Sequence, residues 1–411
     1  MSGYSHQILR LENPVMEYAW GSKTFIPELL GRPAPAGRTA AELWMGAHPR
    51  APSRVQTDGR PVPLDRLISE DPEGTLGPRS ADRFQKKLPF LFKILAVERP
   101  LSIQAHPDRE QARAGFLREN AAGTPIDAAD RNYRDPQPKP ELLCALTRFE
   151  ALCGFREPEE IAAAVTELEL EPLLPEAGEF CRSPDGERLR CLFRALLTLP
   201  AQENNSLLGR IGELSVGKRE IRSVSPRVRN LVARLGKLYP GDLGVLGPIF
   251  LNFVQLEPEE AVYLAPGVLH AYLRGAGVEL MAGSDNVLRG GLTAKHIDGA
   301  ELANILACRC GPAAVARAEP GDGVEFIYRT PAAEYQLSRL LPAPSSPFRS
   351  GDRRGPEIVF CYRGRVRAAG NRGPSVALVR GDSVFIPFGA GAYSLRGEAV
   401  LYRASLPEIG S

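Results

Sequence analysis

Residues 262–282 read VYLAPGVLHAYLRGAGVELMA, and residues 384–404 read VFIPFGAGAYSLRGEAVLYRA. Placed side by side without a gap, the two segments carry the same amino acid at seven of 21 positions. In each segment an apolar run meets a turn that contains glycine and returns as a second apolar run, which is typical of a β-hairpin. Two copies of one hairpin indicate an internal repeat and favour jelly-roll barrels. The alternative is that the match reflects only the strand-turn-strand pattern that any two hairpins share.

The two copies differ at the positions that carry polar chemistry. His270 of the first copy aligns with Ala392 of the second, and Glu279 aligns with Leu401. If the repeat is real, only the first barrel keeps a functional site.

A helical block interrupts the β pattern. Residues 158–238 carry Ala, Leu, Glu and Arg at the three- and four-residue spacing of amphipathic helices. Before this block, FLFKILAVERPLSIQAH (90–106) reads as strand, turn and strand, and after Gly241 the β pattern returns. We therefore predict a mainly β protein with a helical insertion and four segments: a first barrel in two parts (1–154 and 241–320) that would hold the functional site, a helical domain (155–240) and a C-terminal barrel without such a site (321–411).

Composition excludes several classes of protein. The 411 residues include 51 basic and 49 acidic side chains, and a formal net charge of +2 is too balanced for binding nucleic acid or anionic membranes by bulk charge. The first residues, MSGYSHQILRLENP, lack the features of a signal peptide, so we expect a cytoplasmic protein. The seven irregularly spaced cysteines are then expected to be reduced.

One short strand gathers three polar side chains. In LSIQAH (101–106), strand alternation places Ser102, Gln104 and His106 on one face. Inside a barrel these groups need partners, because an unpaired buried polar group costs about 1–3 kcal/mol. A metal ion is one such partner, and a structural hydrogen bond to His106 is the simpler alternative.

Two further segments supply donors of the same kind. Glu141 follows a proline in KPELL, and His270 shares a strand face with Tyr272 in APGVLHAYL. One carboxylate, two imidazoles and the Gln104 amide form a nitrogen and oxygen set that suits Zn²⁺. Spacing alone leaves this open, because glutamine is an uncommon ligand and the four residues are scattered along the chain.

Five motifs point to a known family. In order and spacing the chain resembles the type I phosphomannose isomerases, also called mannose-6-phosphate isomerases, through YAWGSKT (18–24), AELWMGAHP (41–49), LPFLFKILAVERPLSIQAHPD (88–108), KPELLCALTRFEALCGF (139–155) and LHAYLRGAGVELMAGSDNVLRGGLTAKHID (269–298). The family has a cupin fold of two jelly-roll barrels with a helical domain. The resemblance implies that one Zn²⁺ is bound by Gln104, His106, Glu141 and His270, and that Arg289 is the active-site arginine.

The resemblance also implies an activity, the interconversion of D-mannose 6-phosphate and D-fructose 6-phosphate through an enediol-type species. Such an enzyme supplies mannose 6-phosphate for GDP-mannose biosynthesis or feeds mannose into glycolysis. Arg289 is the expected charge stabiliser, and Lys139 and Glu279 are the candidate proton carriers. Family members often carry histidine where this chain has Pro138, which shifts weight towards Lys139.

The substrate phosphate needs cations away from the metal. Lys93, inside an apolar strand, is the candidate together with Ser102, because an unpaired buried ammonium is costly. A snorkelling lysine is the alternative. Glu42 is expected near the pocket, with His48 undecided and His296 structural.

Two other functions stay open at this point. A cupin oxygenase would hold Fe(II) with two histidines and one carboxylate, but Gln104 and the lysine and arginine candidates argue against it. A non-catalytic sugar-phosphate-binding cupin would keep the pocket without turnover. We expect a hexose 6-phosphate as the only partner and a monomeric chain, with an oligomer not excluded.

Overall fold

The computed structural model describes residues 3–34, 36–56, 59–199, 201–215, 221–351 and 354–407, without the side chains of 201–203 and 215. Its strands in the first half of the chain are β1 Leu9–Glu12, β2 Val15–Met16, β3 Glu42–Met45, β4 Arg54–Val55, β5 Val62–Pro63, β6 Phe90–Val97, β7 Ile103–Ala105, β8 Glu141–Ala145 and β9 Phe149–Phe155. The remaining strands are β10 Leu251–Leu256, β11 Ala261–Leu264, β12 His270–Ala282, β13 Leu288–Gly291, β14 Val315–Ala316, β15 Glu319–Pro320, β16 Glu325–Tyr328, β17 Gln336–Leu340, β18 Phe348–Arg349, β19 Glu357–Gly370, β20 Val376–Val379, β21 Ser383–Ile386 and β22 Tyr393–Ser405.

Within the described residues these strands form two eleven-stranded sheets. The β12 sheet has the order β14-β11-β8-β12-β6-β3-β2, with β7, β9, β10 and β13 joined beside β12. The β22 sheet has the order β15-β16-β17-β22-β19-β21-β1-β4-β5, with β18 on β22 and β20 on β19. The predicted mainly β fold with a helical insertion is confirmed.

The two repeat copies occupy equivalent places in the two sheets. Each contributes a four-residue strand, β11 or β21, followed by a 13-residue strand, β12 or β22, that crosses the middle of its sheet. Gly275 and Gly397 fall at the same repeat position, and both have a positive φ, of 127° and 141°. A side chain there would also collide with the neighbouring strand. The shared glycine of the repeat therefore has a backbone cause.

The helical insertion lies where the spacing predicted it. The helices of the chain are α1 Phe25–Leu29, α2 Leu64–Glu70, α3 Pro72–Leu76, α4 Pro78–Arg83, α5 Arg109–Ala121, α6 Pro158–Glu167, α7 Pro175–Arg182, α8 Gly186–Leu197, α9 Ala201–Ser215, α10 Pro226–Leu238, α11 Gly247–Phe250 and α12 Gly299–Ile305. The amide of Val228 donates to Ser225 Oγ, which caps α10 ahead of its first-turn proline. Helix α5 was not predicted, although Asp108 and Gln111 form a capping box at its start.

Two apolar cores join the two sheets to each other and to the helical insertion. Leu43 and Phe92 of the β12 sheet pack in one core with Phe360, Phe385 and Tyr402 of the β22 sheet. A second core packs helices α6, α8 and α10 against Ile103 and Leu269, which directly precede Gln104 and His270. The strands that carry Gln104 and His270 are therefore backed by the helical insertion.

The pairing of the strands adds a feature that local sequence did not predict. β6 and β7 are strands, as expected, but each pairs with the long β12. β1 pairs with β21, so the N-terminal segment enters the sheet of the C-terminal barrel. The domain boundaries stay a prediction. No helix among the described residues is both long and apolar enough to cross a membrane.

Candidate metal centre and active site

Three buried side chains converge where strands begin or end. His106 follows β7, Glu141 opens β8 and His270 opens β12, and each is about 1% exposed. Their potential donor atoms all lie within 4.8 Å of one another. His106 Nε2 is 3.2 Å from Glu141 Oε1, and His270 Nε2 is 3.5 Å from Glu141 Oε2.

The outer nitrogens of both imidazoles are held by backbone carbonyls. His106 Nδ1–H donates to the carbonyl of Asn286 at 2.7 Å, and His270 Nδ1–H donates to that of Val268 at 3.0 Å. These bonds leave a lone pair on each Nε2, directed at the carboxylate. Burial lowers the pKa of His106 to about 4, which keeps its imidazole neutral.

This arrangement fits a divalent metal ion. His106 Nε2 and Glu141 Oε2 are buried and have no hydrogen-bond partner in the part of the chain that the structure describes. Two acceptors that face each other without a proton between them repel unless a cation lies between them. Imidazole and carboxylate donors with carbonyl-anchored rings are the set that zinc sites use.

The fourth predicted ligand lies beside the three. Gln104 pairs with His270 across β7 and β12, and its side-chain amide is 3.4 Å from His270 Nε2. A half-turn of this amide would present its oxygen to the same point. Ser102 Oγ lies 3.4 Å from the Gln104 oxygen. The structure therefore brings all four residues together, along with Ser102.

Lys139 lies against this cluster. Its Nζ is 2.9 Å from Glu141 Oε1, and the residue is 7% exposed. Burial alone would raise the pKa of Glu141, but the charge of Lys139 lowers it well below its usual value. Glu141 is therefore ionised, as a ligand carboxylate must be.

A buried ion network continues from there into the barrel. Lys93 Nζ is 2.9 Å from Glu279 Oε2 and 3.5 Å from Glu42 Oε2, and Trp44 Nε1–H donates to Glu42. Burial opposes the charged form of Lys93, but Glu279 and Glu42 raise its pKa above the usual value. The anion expected beside Lys93 is thus supplied by the protein itself. Glu42 belongs to this network through Lys93 and Trp44.

Glu279 combines burial with a cationic neighbour. Burial raises the pKa of its carboxyl, against the opposing effect of Lys93, and the nearby Glu141 raises it further. A carboxyl whose pKa moves towards neutral pH can both accept and return a proton.

His48 and Asp285 form a polar rim next to this network, which the sequence did not identify. His48 Nε2 lies 3.3 Å from Asp285 Oδ2, and the His48 ring meets the edge of Trp44. Burial raises the pKa of Asp285, but His48 and Arg50 outweigh it and lower the value to about 2. His48 therefore has a partner, whereas His296 is exposed.

Four cations gather beside this rim. Burial lowers the pKa of Lys295, and the charges of Arg289, Arg50 and Arg134 lower it further, so these three side chains lie within electrostatic reach of its ammonium. Burial and Arg134 likewise lower the pKa of the half-buried Arg289. Throughout the described ranges, none of the four has a carboxylate within 4.0 Å, although Arg50 lies over the Trp44 ring.

Sequence reasoning singled out only Arg289 from this group of cations. Positions 50, 134, 289 and 295 belong to separate elements, and exposed lysines and arginines are common in any sequence. The SDN motif at 284–286 was the available signal for Asp285, because it leads directly to Arg289.

Comparison with known proteins gives one consistent answer. Residues 8–158 match the family described as phosphomannose isomerase type I, catalytic domain. Mannose-6-phosphate isomerase of Escherichia coli strain K12 is 39% identical over 96% of this chain and 98% of the relative. Mannose-6-phosphate isomerase 1 of Arabidopsis thaliana is 34% identical over 93% and 89%.

Solved structures agree with these relatives. A variant of phosphomannose isomerase from Salmonella typhimurium superposes with a TM-score of 0.87 at 36% identity, covering 97% of this chain and 99% of the other. A zinc-bound mannose 6-phosphate isomerase gives a TM-score of 0.86 at the same identity and coverage. With full-length relatives above 30% identity and the predicted donors assembled in one barrel, the chain belongs to the type I phosphomannose isomerase family.

Proposed function

We propose that this chain is a zinc-dependent isomerase that interconverts D-mannose 6-phosphate and D-fructose 6-phosphate. The observation that carries the proposal is the pair of buried acceptors, His106 Nε2 and Glu141 Oε2, that face a common point with no hydrogen-bond partner in the described chain. The relatives named above are mannose-6-phosphate isomerases, and one solved relative is zinc-bound. A cupin oxygenase would not require the cation group around Arg289, and a binding protein would not require the candidate proton carriers Glu279 and Lys139.

We assign the metal to His106, Glu141 and His270, with the Gln104 amide as the fourth ligand. When bound, zinc supplies Lewis-acid polarisation of substrate or water oxygens. Lys139 holds one oxygen of Glu141, so that the carboxylate keeps its orientation in the absence of substrate. The two backbone carbonyls keep both rings aimed inwards.

The proton transfer falls to Glu279 in this proposal. Isomerisation moves the proton of C2 in the aldose to C1 and the hydroxyl proton of O2 to O1, so that the carbonyl moves from C1 to C2. A single carboxylate can take the proton from one carbon and give it back to the next, through an enediol-type species. Lys93 holds the Glu279 carboxylate from behind, and Lys139 is the competing carrier.

Negative charge grows on the O1 and O2 oxygens during this transfer. Arg289 suits the stabilising role because a guanidinium stays ionised and offers several donors in a plane. We place the substrate phosphate among Arg134, Lys295 and Arg50, because these cations have no carboxylate within 4.0 Å in the described residues whereas Lys93 has two. A phosphate with close to two charges would balance part of this group.

Removal of the metal tests the proposal as a whole. Dialysis against a strong chelator is expected to abolish the formation of fructose 6-phosphate from mannose 6-phosphate in a coupled assay. Addition of one equivalent of zinc should restore it. Activity that persists after metal analysis shows a metal-free protein would contradict the assignment, and zinc-restored binding without turnover would favour a sugar-phosphate-binding protein.

Replacement of Arg289 tests the charge stabiliser. Arg289→Ala is expected to lower kcat by at least about a hundredfold, as for loss of one preorganised donor to a developing anion. Zinc content should stay unchanged, because Arg289 meets Gln104 through the backbone pairing of β13 with β7, which alanine preserves. Arg317→Ala, which removes an exposed arginine paired with Glu260, is the matched control. A normal kcat in Arg289→Ala would exclude the residue from the mechanism.

We further propose a cytoplasmic, monomeric enzyme with a hexose 6-phosphate as its partner. In that setting the reaction would supply mannose 6-phosphate for GDP-mannose biosynthesis or feed mannose into glycolysis.

A further inference from the structure

Asn286 lies at the centre of a hydrogen-bonded junction beside the metal ligands. The residue is 0% exposed and belongs to the segment that also carries Asp285 and Arg289. Its side chain has no place in the mechanism proposed above. A fully buried amide nevertheless needs several partners, and the choice of those partners shows what it connects.

The side chain of Asn286 bonds to one other segment of the chain. Its Oδ1 accepts from the amides of Arg134 at 2.7 Å and Asp135 at 3.2 Å. Its Nδ2 donates to the carbonyls of Asp135 at 2.8 Å and Gln137 at 3.0 Å. The amide thus uses two acceptor and two donor positions, all on residues 134–137.

Asp135 returns the contact from the opposite side. Its Oδ2 accepts from the amide of Asp285 at 2.8 Å and from Ser284 Oγ–H at 3.1 Å. Its Oδ1 accepts from the amide of Gln137. Residues 134–137 and 284–286 are therefore joined by reciprocal side-chain bonds, which we call the 135–286 clamp.

The clamp lies between two groups that must be placed together. The backbone carbonyl of Asn286 accepts the Nδ1–H bond that orients His106. Residues 134–137 run directly into Lys139 and Glu141 and begin with Arg134 of the cation group. A shift of either segment would separate His106 Nε2 from Glu141.

We infer that Asn286 is a positioning residue, which sets the metal ligands His106 and Glu141 relative to each other through the 135–286 clamp. This inference rests on the proposed metal site. It assigns to the chain a determinant of metal affinity that touches neither the metal ligand atoms nor the substrate. Loss of an outer contact of this kind typically weakens metal binding by about 10–100-fold.

Asn286→Asp tests the inference with a side chain of the same shape. The substitution keeps the acceptor side but turns the donor side into a carboxylate that faces the carbonyls of Asp135 and Gln137. We expect the zinc dissociation constant, measured on metal-free protein by competition with a chromogenic chelator, to rise about 10–100-fold. The KM for mannose 6-phosphate should also rise, because Arg134 is displaced. Asn13→Asp is the control, since Asn13 bridges Ser53 and Ser383 in the other sheet.

The outcomes separate this inference from the proposed function. Failure of the unmodified chain to bind zinc would overturn the proposed metal site. Tight binding by the unmodified chain and an affinity within about twofold of it in folded Asn286→Asp would overturn only the positioning role. If Asn286→Asp does not fold, Asp135→Asn decides by the same measurement, with weaker zinc binding expected. Recovery of both variants only as unfolded protein would also overturn the inference, because the clamp would then serve folding.

Discussion

Glu141→Gln is expected to abolish stoichiometric zinc binding and to lower turnover by at least about a thousandfold, because it removes the carboxylate that His106, His270 and Lys139 share. The same change should destabilise the metal-free protein by about 3 kcal/mol, since it leaves the buried Lys139 ammonium without its anionic partner. Metal analysis after gel filtration and urea unfolding of metal-free protein measure the two effects separately.

The control for this substitution is a carboxylate on the surface. Glu260 pairs with the exposed Arg317, so Glu260→Gln should change stability by no more than about 1 kcal/mol and leave zinc content intact. If Glu141→Gln retained one zinc per chain at normal affinity, the carboxylate would not be a ligand. A loss of zinc without any loss of stability would mean that Lys139 finds another anion or becomes neutral.

Glu279→Gln is expected to reduce kcat by about 100- to 10,000-fold, the range that general acid–base groups contribute. Zinc content should stay normal, because the Glu279 carboxylate bonds to Lys93 and is not one of the proposed metal ligands. Lys93 would keep Glu42 as a partner, which limits the structural damage. The sharpest measurement is exchange of the C2 hydrogen of mannose 6-phosphate with deuterated solvent, because it follows the proton directly.

Lys139→Met provides the comparison that this second prediction needs. If Glu279 carries the proton, exchange disappears in Glu279→Gln and persists at a reduced rate in Lys139→Met. The reverse pattern would transfer the role to Lys139. Normal exchange in both variants would exclude both residues and direct attention to Asp285 and His48, which form a further acid–base pair.

Much of the fold could be predicted because its causes are local. The repeat at 262–282 and 384–404 predicts two hairpins, because each copy has an apolar run, a turn with glycine and a second apolar run. The glycine after the shared arginine recurs because φ is positive there and the next strand passes close by. The insertion was visible because amphipathic helices repeat every three to four residues. Helix α5 was not predicted, although the capping box that begins at Asp108 is visible in the sequence.

The sequence by itself determined which side chains are present: one strand face with Gln104 and His106, and motifs that carry Glu141, His270 and Arg289. Only the tertiary structure decided their partners, because strand pairing sets the distance between residues that are far apart in the chain. It placed Lys93 between Glu42 and Glu279 instead of leaving it free for a phosphate. It also collected Arg50, Arg134 and Lys295 around Arg289 and joined residues 134–137 to Asn286. These charged residues are far apart in the sequence, and no local pattern links them. Burial removes the water between them, so that their attractions and repulsions become stronger than at the surface and an unpaired polar group costs more free energy.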